Sequence, residues 1–143
     1  MKKTLIITLL VLICSTKNTK AQSGVPDTLA YLQTIIANKV QYIGQPFSVL
    51  KNDLQIQIKY FFPFAGHHYD KTKETSTSFG WYIPQNADEI YLAYPLLEIY
   101  WQLPLNINQS DIIRGTNNNR GKWNTDASNF YANAIIANIQ IRE

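Results

Sequence analysis

Apolar positions recur at two different periods along this 143-residue chain, and the change of period marks where helix gives way to strand. Leu29, Leu32, Ile36, Val40 and Ile43 are spaced as one side of a helix. Pro26 suits a first-turn position and Asp27 the positive end of the helix dipole, so a first helix is predicted to about Asn38. Gly44 interrupts the pattern, and Pro46 can start a short second helix whose apolar side is Phe47, Leu50 and Leu54.

The period then drops to two. In LQIQIKYFF, Leu54, Ile56, Ile58, Tyr60 and Phe62 alternate with Gln55, Gln57, Lys59 and Phe61, which predicts a half-buried strand. TSFGWYI repeats the alternation, with Thr77, Phe79, Trp81 and Ile83 against Ser78, Gly80 and Tyr82. In EIYLAYPLLEIYWQL the apolar parity is Ile90, Leu92 and Tyr94 before Pro95, but Leu97, Ile99, Trp101 and Leu103 after it. A one-residue bulge at Pro95 would restore a single buried face.

From Asn106 to Lys122 the abundance of Asn, Gly and Arg predicts an exposed loop. Asn124 and Thr125 can cap a helix with Ala127, Phe130, Tyr131, Ala134 and Ile135 on one stripe, and alternation near Ile139 and Ile141 predicts a final strand. The expected fold is α+β, in the order α-α-β-β-β-α-β: a small antiparallel sheet of three to four strands, two N-terminal helices and one C-terminal helix.

The first residues change the picture of charge and compartment. Lys2 and Lys3 precede an apolar run from Leu5 to Cys14, and small residues stand at the minus-three and minus-one positions of a cleavage site after Ala21. Residues 1–21 are therefore expected to be a secretory signal peptide of bacterial type, too short to span a bilayer, and 22–143 a single domain that is periplasmic or secreted. Lipid attachment at Cys14 is a minor alternative, because Ile13 stands where that processing wants a small residue.

Of the 13 basic residues, Lys2, Lys3, Lys17 and Lys20 would leave with the leader, and the remaining nine face ten acids. The basic balance is thus a targeting feature, and no basic run remains as a footprint for nucleic acid. The single cysteine also leaves, and with it any disulfide, thiol nucleophile or thiolate metal site.

Motifs for chemistry are sparse. GTNNNRGKW has five residues between its glycines where a phosphate loop has four, and Trp123 replaces the hydroxyl residue that would hold magnesium. G-x-S-x-G and H-E-x-x-H are absent from the sequence. FPFAGHHYDKTKE holds both histidines, His67 and His68, with Asp70 and Glu74 close behind. His68 and Asp70 could reach one ion, and a small hydrolase or metal-binding protein centred on His67, His68 and Asp70 is one reading. Adjacent side chains on an extended chain point opposite ways, however, which favours a polar connection between strands. No catalytic residue, metal ligand or cofactor is assigned. Glu98, the acid most embedded in apolar sequence, alternates with Tyr100 and Gln102 and is expected on an exposed sheet face.

Aromatic residues on the polar side of the strands are more informative. Phe61, Tyr82, Tyr91 and Tyr100 interleave with Gln57, Lys59, Ser78, Glu98 and Gln102, and tyrosines offer contact area with one polar end. The first reading is a non-enzymatic binding module with a protein or envelope component as partner. A carbohydrate-binding module stacking sugar rings on Tyr82, Tyr100 or Trp123 is the alternative.

Overall fold

The computed structural model describes residues 27–66, 69–83, 94–116 and 120–142. The chain runs α1 (Thr28–Ala37), a 3-10 turn (Lys39–Gln41), α2 (Phe47–Asp53), β1 (Tyr60–Phe64), β2 (Lys73–Gly80), β3 (Leu96–Asn106), α3 (Ile107–Gly115), α4 (Thr125–Tyr131) and β4 (Ile136–Arg142). The four strands form one antiparallel sheet in the order β1-β2-β3-β4. The architecture is α+β with a small sheet, as the periods imply, but with four α-helices among the described residues where three are expected.

The additional helix is α3, inside the stretch expected to be loop. Asn106 caps it, its side-chain oxygen accepting from the N–H of Asn108 (3.0 Å) and Gln109 (3.4 Å). The helix buries only Ser110 fully, with Ile113 packed against the core, so its polar composition reflects a lightly covered position rather than absence of structure. Caps elsewhere follow the sequence: Asp27 accepts from Ala30 N–H at 3.2 Å and Asn124 from Ala127 N–H at 2.8 Å. Pro46 stands at the N-cap of α2 as its fixed φ allows.

Three boundaries move. α1 stops at Ala37 and the 3-10 turn redirects the chain, so Val40 is exposed and Tyr42 is the buried residue. The strand expected at 54–62 begins only at Tyr60. Ile56 and Ile58 are buried, but the next buried residue is Phe61, three positions on, and alternation therefore restarts with opposite parity. α4 ends at Tyr131 and β4 starts at Ile136, earlier than the alternation suggested. The bulge expected at Pro95 adjoins 84–93, outside the described residues; the register shifts observed lie between Glu74 and Ser76 and between Tyr100 and Trp101.

All four helices pack on one face of the sheet. That inner face presents Phe61, Thr77, Phe79, Leu97, Ile99 and Ile139 in register across the strands, and Leu32, Phe47 and Tyr131 fill the space above it. Phe47 stacks on Phe79 (centroids 4.8 Å apart) and meets Trp101, Trp123 and Tyr131 edge-on, an arrangement that the ring quadrupole favours. Both edges are dressed. Gly121 and Trp123 pair with the margin of β1 through Phe61 N–H to Gly121 O (2.9 Å) and Trp123 N–H to Lys59 O (2.8 Å). At β4, Gly44 and Gln45 pair with Ile136, and the Lys39 ammonium donates to Asn138 Oδ1 (2.9 Å) and the Ile139 carbonyl (3.4 Å).

Candidate functional site

Two constellations stand out on opposite faces of the sheet. The first centres on Glu74, an acid from the stretch that also holds the two histidines. Simple alternation along β2 would put Glu74 with Ser76 and Ser78 on the outer face. The bulge between Glu74 and Ser76 turns it inward instead, and its side chain is wholly removed from solvent. Tyr131 Oη donates to Glu74 Oε1 at 2.8 Å, and the Thr77 hydroxyl donates to the same oxygen. Trp101 Nε1 in turn donates to Thr77 Oγ1 at 2.9 Å. Oε2 is buried and makes no hydrogen bond among the described residues.

Burial pushes the Glu74 carboxyl above the usual carboxylate range, and the surrounding hydroxyl and indole donors only partly oppose it. Burial, then the Glu74 charge, pushes the Tyr131 phenol up in the same way. Ser110, which stands beside the Glu74 carboxyl, already donates its proton to the Ile107 carbonyl at 3.0 Å. Glu74, Thr77, Ser110, Trp101 and Tyr131 are all buried, so the cluster ties β2, β3, α3 and α4 together beneath the helices and presents nothing to a solute.

Asp70 goes the other way. It sits in an exposed turn, accepts from the Thr72 N–H at 3.1 Å and from the Thr72 hydroxyl, and pairs with Lys73 at 3.0 Å. The Thr72 hydroxyl first, then Lys73, lowers its pKa to about 2. The turn thus uses Asp70 on its own backbone. His67 and His68 lie outside the described residues, and among those described no three His, Cys, Asp or Glu side chains converge as metal ligands.

The second constellation is the outer face, which α3 reaches through Arg114. Because parity restarts at Tyr60, the aromatics that β1 sends outward are Tyr60, Phe62 and Phe64. Phe61, expected there, is fully buried against Trp123 and Tyr131. Tyr100 and Glu98 lie on the outer face as expected, and Ser76 Oγ donates to Glu98 Oε1 at 3.0 Å. Tyr82 is half-buried, its ring 4.6 Å from that of Tyr94, and Tyr91 lies outside the described residues.

Between the β1 ridge and Glu98 and Tyr100 on β3 lies a row of small residues, Ser76, Ser78 and Gly80, all of them buried. The Tyr60 ring lies over Gly80 too closely for any Cβ, so only glycine fits there. Two guanidinium groups cap the ridge: Arg114 sits 5.1 Å from the Phe62 centroid and Arg142 4.9 Å from that of Phe64. Sequence reasoning missed these members because it carried one parity through Lys59. The run YFFPF itself, three aromatics in five residues, was the available signal.

Trp123, the third residue considered for sugar stacking, is half-buried and locked among Phe47, Phe61 and Phe79. Neither a family model, nor a curated protein, nor a solved structure matches the chain. Among the described residues no helix is long and apolar enough to cross a membrane.

Proposed function

We propose that this chain is a non-enzymatic binding module, exported by the leader 1–21 into the bacterial envelope, whose contact surface is the outer face of the sheet and whose partner is a protein component of that compartment. The observation that carries the reading is the composition of this face. Half-buried Phe62, Phe64, Tyr60 and Tyr100 flank the buried small residues Ser76, Ser78 and Gly80, with Arg114 and Arg142 held over the rings of Phe62 and Phe64. Aromatics and arginine are the residues enriched at the energetic centres of protein interfaces, and rings already immobilised by neighbours lose little freedom on binding.

The test is a paired substitution on this face, Phe64→Ser with Tyr100→Ser, in the exported protein. The expected result is an unchanged far-UV spectrum, a cooperative thermal transition, and loss of the partners that cross-linking and mass spectrometry identify for the unaltered chain. Unaltered cross-links in the folded double variant would sink the proposal. Binding to a glycan array that vanishes in the same variant would instead assign the face to carbohydrate.

A further inference from the structure

The charged groups of the outer face are unevenly satisfied. Glu98 of β3 accepts from Ser76 Oγ at 3.0 Å, and Lys73 at the start of β2 is paired with Asp70 at 3.0 Å. The two guanidinium groups are less well served. Arg114 pairs with Asp111 at 3.5 Å, but the side chains are 41% and 53% exposed, and such a pair holds weakly. Among the described residues the Arg142 guanidinium makes no hydrogen bond or ion pair, and it rests 4.9 Å from the Phe64 ring centroid.

The backbone shows how far Arg142 extends to reach that ring. Phe64 lies in register with Ser76, Tyr100 and Asn138, whereas Arg142 stands four residues beyond Asn138 along β4. The two side chains therefore meet above β2 and β3. Arg114 comes to Phe62 from the other margin of the sheet, and Phe62 and Phe64 are same-face neighbours on β1, about 7 Å apart along the strand. Two guanidinium groups are thus fixed over adjacent rings. A guanidinium lying against a ring keeps N–H donors at its edge, in a fork that fits both oxygens of one carboxylate.

On the reading of this face as a binding surface, we propose that its partner presents an acidic segment, two of whose carboxylates are gripped by Arg114 and Arg142. The rings hold both forks in place before the partner arrives, so little side-chain freedom is lost on binding. Protein carboxylates fit this pair better than a membrane surface does. Recognition of anionic lipid takes a cluster of about four or more Lys or Arg. Here Glu98 shares the face with the two guanidinium groups, and residues 22–143 carry nine bases against ten acids.

The experiment selects a random peptide library, displayed on phage, against the exported chain, and measures the resynthesised peptides by calorimetry. Enriched peptides should carry at least a pair of Asp or Glu, and should weaken roughly tenfold when these become Asn or Gln. Arg114→Lys and Arg142→Lys should each weaken binding by a similar factor with the thermal transition unchanged. Lysine keeps the charge but lacks the planar fork, so a role in long-range attraction alone would leave these variants unaffected.

Enriched peptides that lack acids, bind both lysine variants in full and are lost in Phe64→Ser with Tyr100→Ser would overturn the acidic partner while leaving the binding face standing. Peptides that bind the serine variant as tightly as the unaltered chain would remove both readings. A selection that enriches nothing would refute the acidic segment. So would vesicles of phosphatidylglycerol that bind the unaltered chain and not the lysine variants, since the forks would then serve lipid phosphate.

Discussion

The two faces of the sheet are built from the same strands but treat polar groups differently. On the outer face Glu98 accepts from Ser76, and Tyr100 beside it keeps contact with water. On the inner face Glu74 has no water, and its neighbours Thr77, Tyr131 and Ser110 must serve it instead. Burial raises the pKa of the inner carboxyl. A bulge of one residue in β2 separates these outcomes, because it decides which way position 74 points.

The comparison breaks most visibly in the aromatic core. Phe47→Ala removes the ring that touches Phe79, Trp101, Trp123 and Tyr131, and should cost about 3–5 kcal/mol in urea denaturation. A loss under about 1 kcal/mol would show that the inner face is not the stabilising one. Glu74→Ala should follow at about 2–3 kcal/mol, since it leaves the Tyr131 and Thr77 hydroxyls buried without their acceptor.

Glu74→Gln sharpens the contrast further. The amide is a neutral isostere, so it should cost less than about 1 kcal/mol at acid pH. The pH dependence then distinguishes the two proteins. Because the folded-state pKa of Glu74 lies above the unfolded value of about 4.3, the unfolded chain gives up its proton first as pH rises. The stability from the neutral acid is complete below about pH 4.3 and declines as pH climbs from there to the folded pKa.

That decline should be missing in Glu74→Gln, and equal slopes in the two proteins would refute a buried neutral acid. Asp70 acts in a separate window with the opposite sign. Its pKa is depressed to about 2, so its contribution is present above the ordinary aspartate range and is lost as pH falls through about 2. At the small end, Arg142→Gln removes the guanidinium over Phe64 and should cost only about 0.5 kcal/mol, read as a slight drop in Tm at low salt.

The sequence was most legible where a single period ran unbroken. Thr77, Phe79, Leu97, Ile99 and Ile139 face inward as their alternation implies, and Asp27 and Asn124 cap helices as their side chains allow. It misled where the backbone changed phase without changing composition. Nothing in LQIQIKYFF marks the step between Ile58 and Phe61 that sends Phe61 into the core and Phe62 out. Nothing around Glu74 marks the bulge that buries it, since KETST reads as an ordinary polar turn leading into a strand. Helix α3 is hidden by its own economy: a surface helix that buries one serine has little apolar pattern to display, and Asn106, its first side-chain hydrogen-bond acceptor, opens a stretch with the composition of a loop.

The dressing of the sheet margins bears on behaviour at high concentration. An antiparallel sheet of four strands ends in two lines of peptide groups, and copies of a chain can zip together along such lines into fibres. Here Gly121 and Trp123 occupy the line at β1, while Gly44, Gln45 and the Lys39 ammonium occupy part of the line at β4. A cation on the margin also sets every approaching copy against a like charge. Lateral polymerisation is thereby opposed at both ends of the sheet, by segments that belong to neither edge strand.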